Sequence, residues 1–243
     1  MFKKKEDKPK IEFICDIPEL MDIEECIPRP AKYFIPEWWK NIPSANHPLE
    51  SGVKECPSFP DFFSQGYIIP MWADSYLRYD KETDVWNTDS NTLTPDFSIH
   101  RHQQFLNHVS VKMHGNKTNI VFKANSPWNI ITPPGYSVFQ MPLFYHFNED
   151  YSLLPGIVDT DIHHDMNQQV LYHTDKKEIF IKRGDPFVLY IPFKRTKYDM
   201  SVRAANEEDK KRLNRLIFNY STSSIGQGQY RSNQRKRDKK DKK

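Results

Sequence analysis

The sequence predicts a mainly β protein of 243 residues. Eighteen prolines stand against eight glycines, a balance that favours extended segments joined by rigid turns. Aromatic residues make up 14% of the chain, and aromatic side chains are enriched in strands. Short apolar runs separated by turn-forming residues recur between residues 130 and 195. These three observations favour strands over helices as the main elements.

The first sixty residues are predicted to form a leader and an arm. Residues 1–10 hold five lysines and are predicted to be a flexible basic leader. Residues 11–60 carry prolines at intervals that exclude a long helix, so we expect an extended arm wrapped on the main domain. One helical turn is predicted at residues 35–40, where Trp38 and Trp39 would anchor the arm.

A β domain is predicted over residues 61–222. Its first strands are expected at residues 66–72 and 75–79, and the polar stretch Asp80–Asp84 then leads into Val85 and Trp86 as a hairpin. Further strands are expected at Phe97–His102, Asn119–Lys123, Trp128–Ile131, Ser137–Phe147, Gln168–His173, Glu178–Ile181 and Phe187–Phe193.

Two turns are predicted between the last of these strands. Residues 174–177, Thr-Asp-Lys-Lys, are expected to join their neighbouring strands as a hairpin. After Lys182 and Arg183, Gly184 is expected to take a positive φ and Asp185 to cap the turn. Both predictions concern topology rather than chemistry.

A single C-terminal helix is predicted at residues 206–220. Asn206 is a favourable N-cap, and three acidic residues follow it in the first turn. An apolar stripe formed by Leu213, Leu216, Ile217 and Tyr220 is expected to lie on the sheet or on a neighbouring subunit. Residues 223–243 are rich in Ser, Gly, Gln and basic side chains, and are predicted to be a disordered basic tail.

The charge of the chain is concentrated at its ends. The whole chain carries +3, whereas residues 231–243 alone hold eight Lys or Arg and two Asp. The body is therefore net acidic and lacks the composition of a duplex-binding domain with a basic face. The 231–243 tail is the expected contact for an acidic partner or nucleic acid, and the alternative is a solvated terminus.

The cysteines and the hydropathy pattern indicate a reducing compartment. Cys15, Cys26 and Cys56 form neither an even set nor a metal-binding spacing. No signal peptide is expected, and no apolar run reaches membrane-spanning length, so no membrane association is predicted.

Two carboxylates lie close together in Gly156-Ile157-Val158-Asp159-Thr160-Asp161. Side chains two residues apart point the same way in an extended chain. Asp159 and Asp161 are therefore candidate catalytic residues, with an Asp orienting water as general base or helping to hold Mg²⁺ against phosphates. The alternative is that both supply hydrogen bonds within a turn.

A second cluster follows directly. His163-x-Asp165 fits the first part of the His-x-carboxylate pattern of iron-dependent oxygenases, which makes these two residues metal candidates. No second histidine follows at the required distance, since the last one is His173. The alternative is that these are surface or hydrogen-bonded side chains.

The order of motifs in residues 130–195 resembles the second half of the dUTPase-like jelly roll. The matching segments are Pro134-Gly135-Tyr136, Gly156–Asp161 and Gly184-Asp185. The resemblance implies a jelly-roll, or double-stranded β-sandwich, fold in which Asp159 activates water for nucleotide hydrolysis. Lys182, Arg183 and Tyr136 are the candidate binding residues.

The chain departs from the dUTPase pattern at two places. Ile162 stands where the family has an aromatic residue, and Pro142–Tyr145 lacks the Arg and Ser of the phosphate-contacting motif. A wider set, Pro127–Tyr136, Leu154–Asp161 and Lys182–Phe187, is similar to a family of tailed-phage proteins of uncharacterised activity, which implies a viral origin.

These observations predict a non-catalytic binding or assembly protein encoded by a phage. It would need no cofactor, would act in the cytoplasm of the infected host cell or in the virion, and could form a homo-oligomer. The alternative is a divergent dUTPase-like hydrolase with Asp159 as general base and Mg²⁺ as cofactor. An iron oxygenase using His163 and Asp165 is the third interpretation.

Overall fold

We describe the fold from a computed structural model. The structure describes residues 8–43, 53–80, 82–83, 85–91, 97–99, 120–174, 176–213 and 235–236. Its strands are β1 Glu12–Cys15, β2 Arg29–Pro30, β3 Tyr67–Pro70, β4 Ser75–Asp80, β5 Val85–Ser90, β6 Phe97–Ile99, β7 Ile120–Asn125, β8 Trp128–Ile131, β9 Tyr136–Met141, β10 Tyr151–Leu153, β11 Gly156–Val158, β12 Asn167–Tyr172, β13 Glu178–Ile181 and β14 Pro186–Lys194.

Helices are short by comparison. They are α1 Glu37–Asn41, α2 Ser58–Phe63 and α3 at residues 207–213. Short 3₁₀ turns lie at Pro18–Asp22, Glu24–Cys26, Ala31–Phe34, Val53–Glu55 and Phe144–His146. Within the described ranges, none of these helices has the length and hydropathy needed to cross a bilayer.

The strands pair antiparallel in four sheets. Their orders are β1-β8, β10-β12-β7-β6, β11-β9-β14-β3-β2 and β13-β4-β5. Neighbours in the sheets are often distant in sequence, as where β14 pairs with both β3 and β9. Pro30 is tolerated in β2 because this strand is at a sheet edge, where a proline removes no ladder hydrogen bond from a central strand.

One hydrophobic core joins all four sheets. Each sheet contributes fully buried side chains to the same cluster, among them Trp128 from β8, Phe122 from β7, Val188 from β14 and Leu77 from β4. Sheets that enclose a common core in this way form a β-sandwich. The predicted fold class, mainly β with the layered sandwich of a jelly roll, is confirmed.

Local patterns predicted many strands closely. The predicted strands Trp128–Ile131 and Glu178–Ile181 coincide with β8 and β13, and the β4–β5 pair is the predicted hairpin. Gly184 has φ +85°, and the Asp185 carboxylate accepts the Lys182 N–H at 3.2 Å, so the predicted turn chemistry is confirmed.

One strand prediction and one turn prediction are wrong. The predicted strand Ser137–Phe147 ends at Met141, because the chain turns at Pro142 into a 3₁₀ turn. Residues 174–177 do not close a hairpin, because β12 pairs with β7 and β10 whereas β13 pairs with β4. Polar turn residues also suit a connection between sheets, so composition alone could not separate the two cases.

The chain divides into two compact units. One comprises the residues up to Phe34 with Gln65–Arg195, and the other comprises Ile35–Ser64 with the residues from Thr196 onward. In the second unit, Trp39 is buried and stacks on Phe59 with ring centroids 5.3 Å apart. The predicted boundaries at residues 10, 60 and 222, and the wrapped arm, stay predictions.

The C-terminal helix begins as predicted. The Asn206 Oδ1 accepts the Asp209 N–H at 2.8 Å, and Asp209 accepts the Asn206 N–H at 3.0 Å, which is the reciprocal arrangement of a capping box. The predicted residues 214–220 of this helix lie outside the described residues, as does most of the 223–243 tail.

Candidate functional site

The start of one strand and the ends of its two neighbours meet at one end of the five-stranded sheet. In this sheet β9 lies between β11 and β14 and runs antiparallel to both. The start of β9 therefore lies beside the ends of β11 and β14. This register brings together Gly135 before β9, Ser137 in β9, the segment 159–161 after β11, and Arg195 after β14.

Asp161 is held by a guanidinium and a backbone amide. Arg195 donates to its two oxygens from Nη1, at 2.9 Å, and from Nη2, and the Gly135 N–H donates to Oδ2 at 2.8 Å. The Asp161 side chain is only 7% exposed. The Arg195 hydrogen bonds, followed by that from Gly135, lower the pKa of Asp161 from 3.8 to about 2.

Arg195 is itself held in place by hydrogen bonds of its side chain and backbone. Its hydrogen bonds to Asp161 raise the pKa of its guanidinium above the ordinary value. Its backbone N–H also donates to the Gly135 carbonyl at 2.8 Å, which fixes the chain where β14 ends. A bidentate guanidinium–carboxylate pair of this kind positions both groups as well as neutralising them.

Asp159 shares the same cation but is more open. Its Oδ1 accepts the Ser137 hydroxyl at 2.6 Å and lies 3.1 Å from Arg195 Nη1. The side chain is 47% exposed, and among the described residues its Oδ2 has no hydrogen-bond partner. We call the group Asp159, Asp161, Arg195 and Ser137 the aspartate–arginine cluster.

The turn that carries the carboxylates is itself fixed. Between the two aspartates, the buried Thr160 hydroxyl lies 2.7 Å from the Thr132 hydroxyl. The Asp159 carbonyl accepts the backbone N–H groups of Ile162 and His163 at 3.0 and 2.9 Å. Asp159 and Asp161 thus belong to a turn that is held by backbone and threonine hydrogen bonds.

The cation beside the carboxylates is neither of the two that the sequence suggested. Arg183 donates from Nε to Glu25 at 2.6 Å, and its backbone N–H bonds to Asp74, so its contacts lie elsewhere in the fold. Tyr136 does border the cluster, because its carbonyl accepts Arg195 Nη1 at 3.2 Å. The roles of Tyr136, Lys182 and Arg183 in binding stay predictions.

Sequence reasoning missed Arg195 and Ser137. Arg195 directly follows β14, and a basic residue after a strand is too common to stand out. The signal that identifies it is the pairing of β14 with β9, in which Lys194 lies opposite Tyr136. That pairing joins segments almost sixty residues apart and cannot be read from a local pattern.

His163 and Asp165 lie on the exposed continuation of this turn. Within the part of the chain that the structure describes, no three His, Cys, Asp or Glu side chains gather as a metal site. A facial iron site needs a third ligand, so the metal prediction has only its two original residues in support.

The cluster does not fit a Mg²⁺ site. Mg²⁺ prefers one or two carboxylates together with water and phosphate oxygens in octahedral geometry. Both Asp161 oxygens are already bound by Arg195, which leaves Asp159 Oδ2 as the available carboxylate oxygen among the described cluster members. The guanidinium carbon would also place a positive charge next to any cation held there.

Comparisons with known proteins give no family. No protein-family model matches the chain, and no curated protein matches its sequence. Among solved structures, the dUTPase from phage phi11 of S. aureus matches with a TM-score of 0.33 and 9% identity, over 82% of this chain and 98% of that chain. An aspartate-to-asparagine mutant of that enzyme matches with a TM-score of 0.34 and 9% identity, over 82% and 99%. The fold assignment therefore rests on the strand pairing and core of this chain.

Proposed function

We propose that this chain is a non-catalytic binding or assembly protein of a phage, in which the aspartate–arginine cluster is structural. The observation that carries the proposal is that Arg195 forms ion pairs with both Asp159 and Asp161. Its phage origin is inferred from the motif set in residues 127–187. Action in the infected cell or in the virion belongs to the same proposal.

Charge supports this proposal. Two carboxylates around one guanidinium leave the cluster with a net negative charge at neutral pH. A nucleoside triphosphate is itself strongly anionic, and phosphoryl chemistry depends on positive charge placed around the phosphate oxygens. Because Arg195 is already neutralised, it would have to leave Asp161 before it could contact a phosphate.

The pKa of Asp161 and the contacts of Asp159 support the proposal as well. The low pKa of Asp161 makes it a poor proton acceptor at neutral pH, since a general base works best with a pKa near the working pH. Asp159 Oδ1 is occupied by Ser137 and Arg195. The contacts join the ends of three strands, which is the arrangement expected of a structural ion-pair network.

The second candidate function is a divergent nucleotide hydrolase. The observation in its favour is that Asp159 keeps one carboxylate oxygen without a partner among the described residues, on a side chain that is 47% exposed. Such an oxygen can accept a proton from water. In this alternative Asp159 is the general base, and Arg195 and Ser137 position it.

A nucleotide hydrolysis assay separates the two functions. The purified protein is incubated with Mg²⁺ and each of dUTP, dTTP, dCTP and ATP, and pyrophosphatase converts any released pyrophosphate to phosphate for detection. We expect no release above the protein-free blank. Turnover that is abolished by Asp159→Asn and retained by the matched exposed variant Asp22→Asn would show that the hydrolase alternative is right.

A further inference from the structure

An open cleft of about 640 Å³ lies at the other end of the strands that build the aspartate–arginine cluster. Pro142 and Leu143, which follow β9, form one side, and Pro186 and Phe187, which begin β14, form another. The volume falls within the range of about 300–1,000 Å³ that is usual for small-molecule sites. We call this site the aromatic cleft.

The aromatic cleft has a buried floor and an exposed rim. Leu153, Leu171 and Phe187 line it and are buried against the core. At its mouth the rings of Phe144 and Phe147 are 54% and 65% exposed. Two phenyl rings held in solvent beside an apolar floor are typical of a ligand or partner site.

The rim is held in an unusual backbone conformation. Phe147 has φ 49° and ψ 49°, and it is the one non-glycine residue with a positive φ in the described part of the chain. Directly after it, the Asn148 side-chain oxygen accepts the N–H groups of Asp150 and Tyr151, both at 2.9 Å. A bulky residue in the left-handed region is strained, and such strain is concentrated at ligand sites.

The charged residues that line the aromatic cleft disfavour an anionic ligand. Among the described residues that line the aromatic cleft, none is Lys or Arg, and Asp185 supplies a carboxylate. Burial lowers the pKa of His146, so its ring carries less positive charge at neutral pH than an ordinary histidine. A phosphate or carboxylate ligand would therefore meet one carboxylate and neither lysine nor arginine among the described lining residues.

We propose that the aromatic cleft binds a small, uncharged, planar aromatic molecule. Its ring would contact Phe144 and Phe147 at the rim and reach the floor at Phe187, with edge-to-face or offset ring packing. The Ser152 hydroxyl, which lies 3.0 Å from His173 Nε2, would contact the polar edge of the ligand. The proposal does not depend on the role of the aspartate–arginine cluster, which lies at the opposite strand ends.

Binding is measured with three probes on the full chain. Indole represents an uncharged ring, adenosine an uncharged ring with a polar edge, and adenosine 5′-monophosphate adds negative charge to the same ring. Saturation-transfer NMR and amide shift titrations detect weak binding. We expect binding of indole and adenosine, with shifts confined to residues 142–155, 171 and 185–187, and weaker binding of the monophosphate.

Rim variants identify the site. Phe147→Asn removes a ring while keeping a residue that tolerates a positive φ, and Phe144→Ala removes the other ring. Each is expected to weaken probe binding about threefold to tenfold, the effect of losing one aromatic contact. Phe180→Ala is the matched control, because Phe180 is an exposed ring on β13 and does not line the cleft. Its probe binding is expected to be unchanged.

Four results would overturn the proposal. They are no binding of indole or adenosine, tighter binding of the monophosphate than of adenosine, equal binding by the wild type and both rim variants, and self-association that Phe147→Asn disrupts. The last result would show that a side chain of a second copy occupies the cleft instead of a small molecule.

Discussion

The aspartate–arginine cluster and the aromatic cleft lie at opposite ends of the same two strands. At the start of β9 and the end of β14, charged side chains find their partners within the chain. At the end of β9 and the start of β14, phenyl rings remain exposed around an open volume. The charged end carries the residues that a motif search selects, whereas the other end carries exposed apolar side chains. In this molecule the residues that match a known motif and the exposed apolar side chains lie at different ends of the strands.

The largest effect is expected from the floor of the aromatic cleft. Phe187 is fully buried, and its ring centroid lies 5.9 Å from that of Trp72 and 6.0 Å from that of Tyr151. Phe187→Ala should lower the free energy of unfolding by about 3–5 kcal/mol, because it leaves a cavity in the core. Urea unfolding followed by tryptophan fluorescence measures this loss.

Phe180→Ala is the control for that prediction. Phe180 is an exposed phenylalanine, so its removal opens no cavity and its effect should be much smaller. Equal losses in the two variants would mean that the floor of the cleft is not part of the core.

The second effect concerns the acid sensitivity of the charged end. The pKa of Asp161 is lowered from 3.8 to about 2, so its contacts with Arg195 stabilise the fold at neutral pH and are lost as the pH falls through this range. In Asp161→Asn this contribution is absent. The variant should be less stable at neutral pH, and its unfolding free energy should change less between about pH 4 and about pH 2.

Urea unfolding at several pH values measures both curves. Asp165→Asn is the control, because this exposed aspartate has the same chemistry outside the cluster. Its curve should follow that of the wild type. If the curves of Asp161→Asn and the wild type were parallel across the acid range, the Asp161 carboxylate would contribute no pH-dependent stability.

The smallest effect on stability is expected at the rim. Phe147→Asn removes an exposed ring and relieves a phenylalanine from a positive φ. We expect the free energy of unfolding to stay within about 1 kcal/mol of the wild type, because asparagine tolerates this conformation. Thermal unfolding measures it. A loss as large as that of Phe187→Ala would make the rim a structural element and not a binding surface.

Features that depend on a few adjacent residues could be predicted from the sequence. The positive φ of Gly184, the cap by Asp185 and the N-cap at Asn206 follow from local hydrogen bonding and steric freedom. Short apolar runs bounded by polar or turn-forming residues likewise located β8 and β13. These features need no knowledge of which strands pair.

Features that depend on strand pairing could not be predicted. Arg195 joins Asp161 only because β14 and β11 both pair with β9, and no local pattern encodes these neighbours. The aromatic cleft was missed for a related reason. Its rim lies in residues rich in the aromatic side chains that are common in strands, and Pro142 ends that strand early.

The most direct test of the structural role of the cluster is a carboxyl titration. Carbon-detected NMR of the protein labelled at aspartate follows the Asp161 carboxyl carbon with pH, in the wild type and in Arg195→Gln. The ion-pair arrangement predicts a pKa of about 2 in the wild type and a rise toward the ordinary 3.8 in Arg195→Gln. An ordinary pKa in the wild type, or a pKa that Arg195→Gln leaves unchanged, would contradict the assignment of Arg195 to the two aspartates.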